Sequence, residues 1–319
     1  MRRTRRRRRG VYISPVFILL CVLAAAFLAG GLLFHRAGSG SASAPPSGGS
    51  VGSVGVREHV ERADCVLTEL GVEALYTGEL ILVNNWTLYH FPEEQPLECV
   101  FDGKSASYYV RDKEVYLAPE ALEALNALMD AFQDQGGSKT VNVVAGYRTK
   151  DFQQHLLDQS AELNGEDHAQ RFVAQPGGSE HHTGLVVDFS LLFEDGSSAE
   201  YEGIGEYAWI NQNCQNFGWI VRYDTDKEHL TAIADEPWHF RYVGVPHATV
   251  MAEKGLCLEE YIDYLKQFPY DGPHLTVDCA EGSYEIWYCA GTAAWLPDDE
   301  AYTVSGNNVD GLVVTRRME

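Results

Sequence analysis

Basic residues are scarce over most of this 319-residue chain. It holds 24 Lys and Arg against 46 Asp and Glu, and eight of the basic residues fall within residues 1–36, which contain no acid. Residues 37–319 are left with 16 basic and 46 acidic residues, a net charge of −30. So acidic a body is repelled by phosphate backbones, which argues against nucleic acid as a partner. Other absences narrow the chemistry. The seven cysteines show no paired CxxC spacing for a thiolate metal site, and the HExxH metalloprotease spacing is missing. There is no Gly-rich phosphate loop and no internal repeat. A hydrophobic share of 45% and a charged share of 22% exclude a wholly disordered chain. The length suits roughly two domains.

What is present begins with an address. Met1 to Arg9 carries seven arginines, and Val11 to Phe34 follows as 24 residues without a charge. At about 1.5 Å per residue the run is long enough to cross a hydrocarbon core of about 30 Å. Residues 1–10 therefore read as a basic cytoplasmic segment and 11–34 as an uncleaved single-pass membrane anchor. The arginines stay inside and the C-terminal body lies outside the membrane. A cleaved signal peptide is the rival reading. It has a shorter apolar region and a small-residue cleavage site, and Ala42 and Ala44 sit well past the run. Residues 35–56, rich in Ser, Gly, Ala and Pro, read as a flexible tether. Cys21 lies in the anchor, and the other six cysteines lie beyond it, where disulfides are permitted. Cys279 and Cys289 flank a turn at Glu281-Gly282-Ser283. A bridge across that hairpin is one expectation, and buried free thiols are the other.

The body divides into three parts. Residues 57–117 form a mixed lead-in, with strands expected at Leu80–Val83 and Tyr108–Leu117. Residues 118–270 carry the strongest periodicity. Leu122, Leu125, Leu128, Met129 and Phe132 recur at helical spacing between Pro119 and Gln135, and Gly136-Gly137 stops the helix. Strands are expected at Val141–Ala145, Leu185–Leu192, Trp219–Arg222 and Trp238–Val243. Helices are expected at Lys150–Leu163, Tyr207–Phe217 and Leu258–Phe268. Residues 271–319 alternate in short runs with turns, including Gly306-Asn307-Asn308, and read as a small C-terminal β appendage. The fold class is α+β, a small mixed or antiparallel sheet with flanking helices.

One segment concentrates the chemistry. Ser179-Glu180-His181-His182-Thr183-Gly184-Leu185-Val186-Val187-Asp188 is followed about fifty residues later by Glu236-Pro237-Trp238-His239. A catalytic zinc takes three protein ligands and keeps an open position. His181, Asp188 and His239 offer two imidazoles and a carboxylate. Gly184 lets the chain fold back between His181 and the strand carrying Asp188. Pro237 biases Glu236 towards an extended conformation, and a carboxylate there suits a general base. Taken singly, a His or Asp of this kind is usually a satisfied polar group.

The paired segments resemble the VanY-type zinc D-alanyl-D-alanine carboxypeptidases, within a larger group that includes the D-Ala-D-Ala dipeptidases and the Hedgehog signalling domain. The family pattern is Ser-x-His-x-x-Gly-x-Ala-x-Asp, then Glu-x-x-His. Ser179, His181, Gly184, Asp188, Glu236 and His239 fit it, and Val186 replaces the usual Ala. Gly146-Tyr147-Arg148 with Gln153, and Gly218-Trp219-Ile220-Val221-Arg222-Tyr223, are similar to its other segments. The resemblance spans roughly residues 118–265. It implies Zn²⁺ on His181, Asp188 and His239, with Glu236 as base. Arg148 would meet a substrate carboxylate or oxyanion, and Gln153 and Ser179 would lie in the same pocket. No ligand role falls to His182. The implied activity is removal of the terminal D-Ala from peptidoglycan stem peptides, which lowers the target of glycopeptide antibiotics and bears on antibiotic resistance. The alternatives are an L,D-carboxypeptidase acting on tetrapeptides and a non-catalytic binding module.

Overall fold

The computed structural model describes residues 52–58, 65–298 and 301–318. The basic segment, the expected anchor at 11–34 and the tether before residue 52 lie outside them. Among the described residues no helix is long and apolar enough to cross a membrane.

Strands β1 (Ser53–Arg57), β2 (Cys65–Glu69), β3 (Glu98–Cys99), β4 (Tyr109–Val110) and β5 (Tyr116–Leu117) come early in the chain. The middle supplies β6 (Val141–Ala145), β7 (Val186–Leu192), β8 (Ser198–Glu200), β9 (Trp219–Tyr223) and β10 (Glu236–Tyr242). The C-terminal part supplies β11 (His274–Cys279), β12 (Gly282–Ala290), β13 (Ala293–Pro297), β14 (Tyr302–Gly306) and β15 (Gly311–Met318). The helices that position the site and its support are α1 (Pro119–Asp134), α2 (Lys150–Asn164), α3 (Glu166–Phe172), α4 (Ala208–Asn213), α5 (Val245–Lys254) and α6 (Leu258–Leu265).

The first sheet runs β4-β6-β7-β10-β9, with β8 beside β7. Only the β4–β6 pair is parallel among its described pairings. Its faces follow the period of two along a strand. Val187, Phe189 and Leu191 of β7 and Phe240 of β10 join Leu122, Leu125, Leu128, Met129 and Phe132 of α1 in one core. Burying each such side chain stabilises by about 1.5–3 kcal/mol. The residues between them, Asp188, His239 and Arg241, project to the other face.

The second sheet runs β1-β11-β12-β15-β14. Leu275, Val277, Ile286 and Val313 pack with Met251 of α5 and Leu258, Ile262 and Leu265 of α6. Leu80, Leu82 and Ile220 of β9 enter the same core. The tail of the expected tether, Ser53 to Val56, is part of β1 and pairs with β11. The fold class is α+β, as the periodicities imply. Several local expectations differ. Leu80–Val83 is buried but forms no strand. Its polar main chain is satisfied elsewhere: Leu80 N–H donates to Ser305 Oγ at 2.9 Å, and Arg241 donates to the carbonyls of Glu79 and Ile81. An apolar run signals burial and leaves the pairing open. Tyr108–Leu117 is two short strands around a turn. The helix expected over Tyr207–Phe217 gives way after α4 to a 3₁₀ turn, Cys214–Phe217, which Gly218 closes at φ 78°.

The six cysteines of the described residues are free thiols. A bridge across the β11–β12 hairpin fails on register, because Cys279 pairs with Gly282. Cys289 lies seven residues beyond Gly282 along β12, roughly 23 Å away at the usual strand rise, whereas a disulfide needs Cα atoms within about 7 Å.

Candidate functional site

The site is built where the turn before β7 meets the opposing strand β10. Glu180–Thr183 is a single 3₁₀ turn closed by Gly184 in the left-handed region, at φ 73°. The left-handed φ is what asks for glycine, and a Cβ there would in addition push on the end of the Leu97 side chain, 2.7 Å away. Thr183 Oγ1 locks the turn by donating to the Glu180 carbonyl at 2.6 Å and accepting from Leu185 N–H at 3.0 Å. His181 is thereby held with Nδ1 donating to the Gly146 carbonyl at 2.7 Å. Its Nε2 stands 3.2 Å from Asp188 Oδ2.

Asp188 on β7 and His239 on β10 are direct cross-strand partners, so both side chains leave the same face. His239 Nδ1 lies 3.2 Å from Asp188 Oδ1. The β9–β10 register shifts between Glu236 and Phe240. Such a bulge re-aims side chains, and Glu236 Oε2 sits 3.4 Å from His239 Nδ1. Ligand atoms of His181, Asp188 and His239 all fall within 4.8 Å of one another. The chain thus brings together the three expected ligands and the expected base.

Arg148 is also in the cluster. Its Nη2 donates to Asp188 Oδ2 at 2.7 Å, so the guanidinium expected to meet a substrate carboxylate is engaged here with a side-chain one. Gln153 and Ser179 are buried, and neither side chain bonds a member of the cluster among the described residues. Gln153 Nε2 donates to the Ala174 carbonyl at 2.9 Å, and its Oε1 has no partner among the described residues. His182 belongs to the packing: its Nδ1 donates to the Arg148 carbonyl at 2.7 Å and its Nε2 accepts from Gly177 N–H at 3.1 Å.

One residue escaped the sequence reading. Glu180 is fully buried, and its Oε1 accepts from Arg222 Nε at 2.9 Å and Arg241 Nη1 at 3.1 Å. Arg222 also forks onto both oxygens of Glu259, at 2.9 and 2.8 Å. The available signal was indirect: Arg222 and Arg241 each interrupt an apolar strand, and a buried guanidinium demands a carboxylate.

The electrostatics divide the groups. Burial disfavours ionised Glu180, but Arg222 and then Arg241 outweigh it and hold its carboxyl far below the usual range. Burial, reinforced by Arg148, pulls His181 down to about 4, so its imidazole is neutral. Burial opposes the charge on His239 too, yet the carboxylates of Asp188, Glu180 and Glu236 push it up to about 9. Asp188 stays ionised against its burial because the two imidazoles and Arg148 surround it. Glu236 goes the other way. Burial raises it to about 7, with His239 opposing and Asp188 adding.

These residues fit a divalent zinc. The donor set is the nitrogen and oxygen set of catalytic zinc sites. Among the described residues Asp188 Oδ1 has no hydrogen-bond partner, although His239 Nδ1 is only 3.2 Å away. The three ligand atoms stand within 4.8 Å of one another, close enough to share one ion.

The VanY family, described as D-alanyl-D-alanine carboxypeptidase, matches residues 114–245. The D-alanyl-D-alanine carboxypeptidase of Enterococcus faecium is 33% identical over 275 residues, covering 81% of this chain and 83% of its own. The chain belongs to the VanY family. A second relative of this VanY-family chain is the bifunctional D-Ala-D-Ala dipeptidase and D-Ala-D-Ala carboxypeptidase VanXYC of Enterococcus gallinarum. It is 40% identical over 159 residues, covering 49% of this chain and 82% of its own. The crystal structure of the vancomycin-resistance D,D-dipeptidase VanXYg with a D-Ala-D-Ala phosphinate analog superposes with a TM-score of 0.71 at 31% identity. That match covers 80% of this VanY-family chain and 99% of the other. It extends beyond residues 114–245, so likeness to a solved structure is not confined to the site sheet.

Proposed function

We propose that this chain is an extracytoplasmic zinc D,D-carboxypeptidase that removes the terminal D-Ala from peptidoglycan stem peptides, held at the membrane by residues 11–34. The observation that carries the reading is the convergence of His181, Asp188 and His239 within 4.8 Å, with the half-buried Glu236 3.4 Å from His239. Zn²⁺ on those three ligands would supply Lewis acidity at the scissile carbonyl and lower the pKa of water to about 7. The rest of the chemistry belongs to the chain. Glu236, with a pKa of about 7, is matched to taking a proton from the attacking water and returning it to the leaving amine. Arg148, anchored through Asp188 at the edge of the ligand cluster, presents a planar donor fork to the substrate's terminal carboxylate or to the developing oxyanion. Gln153, whose buried Oε1 has no partner among the described residues, and Ser179 are polar contacts for the peptide.

The relatives support the substrate class. The Enterococcus faecium protein is a D-alanyl-D-alanine carboxypeptidase, and VanXYg was captured with a D-Ala-D-Ala phosphinate analog. Trimming pentapeptide to tetrapeptide removes the terminus that glycopeptide antibiotics bind, which gives the reading its link to antibiotic resistance. Mass spectrometry of muropeptides incubated with the zinc-loaded protein tests it. Loss of one alanine from pentapeptide is expected. Conversion of tetrapeptide to tripeptide in its place would make the enzyme an L,D-carboxypeptidase, and a zinc-loaded protein that cleaves neither would be a binding module.

A further inference from the structure

The two histidines of the site are mounted in opposite senses. His181 gives Nδ1 to a main-chain carbonyl and turns Nε2 to Asp188. His239 turns Nδ1 to Asp188 and Glu236, and its Nε2 points away from them to Glu180 Oε2, 3.6 Å distant. Both His239 Nε2 and Glu180 Oε2 are buried, and neither has a hydrogen-bond partner among the described residues. Two complementary polar atoms left facing each other in the interior cost free energy until they bond. A shift of a few tenths of an ångström closes the gap to a normal N–H···O distance. The other oxygen of Glu180 is already taken by Arg222 and Arg241, so Oε2 is the one left for His239.

We propose that Glu180 is the positioning residue for His239. Its Oε2 accepts the Nε2 proton, which fixes the tautomer that bares the Nδ1 lone pair to the site and stops the ring from turning. The inference rests on the zinc reading above. It also makes the two imidazoles unequal. A ring that donates to a carboxylate is a stronger metal donor than one that donates to a carbonyl, so His239 is the stronger donor and His181 the weaker.

Glu180→Gln tests the idea sharply. The two arginines keep the amide oxygen on their side, because they can only donate. The amide NH₂ then faces His239 Nε2 and forces the ring proton onto Nδ1, the atom zinc needs. Zinc affinity, read by chelator competition, should fall about 10–100-fold, the usual scale for loss of a ligand's hydrogen-bond partner. Nitrogen-15 NMR of the zinc-free variant at alkaline pH, where both rings are neutral, should show the His239 proton moved to Nδ1 while His181 keeps its own on Nδ1. Where the variant does not fold, the same NMR measurement on zinc-loaded wild type decides. A His239 Nε2 proton shifted downfield and protected from solvent exchange, as a hydrogen bond to the Glu180 carboxylate requires, supports the proposal, and a freely exchanging proton at an ordinary shift overturns it. Folded Glu180→Gln protein that binds zinc as tightly as wild type also overturns it while leaving the metal reading intact. Wild type that binds no zinc removes both.

Discussion

The two main sheets bury different things. The second sheet covers Leu275, Val277, Ile286 and Val313 against α5 and α6, a plain apolar core. The first sheet has such a core on its α1 side, but its other face buries Asp188, His239 and Arg241, with Arg222 and Glu180 beside them. Apolar burial is a direct source of stability. Buried ion pairs are not, since desolvating the charges offsets much of their attraction. A fold that carries both is using one region to remain folded and the other to hold reactive groups at fixed positions.

Substitutions of the ligands and the base on the polar face should therefore abolish function with little loss of fold, and substitutions in the apolar sheet should do the reverse. The largest effect belongs to the ligands. Ala at His181, Asp188 or His239 should remove stoichiometric zinc and all activity together, measured by elemental analysis and peptide hydrolysis. Full zinc content in all three variants would end the assignment. Glu236→Gln should retain zinc and the melting temperature while turnover falls about 10²–10⁴-fold, as expected for a lost general base. Near-normal turnover would take Glu236 out of the mechanism.

On the other sheet, Ile286→Ala leaves a cavity opposite Leu275 and should cost about 2–5 kcal/mol of unfolding free energy. Turnover per folded molecule should be unchanged, and a parallel loss of turnover would mean that the two regions are not separable. Arg148→Lys should lower kcat/KM about 10–100-fold, because an ammonium cannot replace a planar fork worth about 1.5–3 kcal/mol. Amidating the terminal D-Ala should be comparably harmful to the wild type and add little in the variant. Equal cleavage of amidated and free peptides would make the enzyme an endopeptidase.

The smallest effect concerns Glu79. Burial first, then the Glu120 carboxylate, raises Glu79 from 4.5 to about 7, with Arg241 opposing. Its folded pKa is above its unfolded one, so the folded state holds the extra proton between those values. The resulting stability is full below pH 4.5 and is lost as pH rises towards 7. Glu79→Gln should flatten that part of the pH profile, checked by denaturant midpoints across the range, and an unchanged slope would refute the linkage.

Legibility followed the same division. Helix α1 was readable because its apolar stripe repeats at helical spacing against one core. Helix α5 was not, because Val245 to Met251 is buried all round and leaves no stripe to detect. The ligands were readable because a short turn, a left-handed glycine and a strand place them by local geometry. Glu180 was not, although it lies beside His181, because its partners Arg222 and Arg241 are 42 and 61 residues away.

By itself the sequence determined the acidic body, the alternation of helix and strand, the site motif and the residues able to hold a metal. Each of these depends on neighbours within a few positions, where spacing and φ preferences act directly. The tertiary structure alone decided that Glu236 is raised to about 7, that Arg148 meets Asp188, that Glu180 faces His239, and that β1 closes the second sheet. All four depend on burial and on contacts between distant segments. A charge far along the chain acts only once folding brings it within a few ångströms and removes the intervening water.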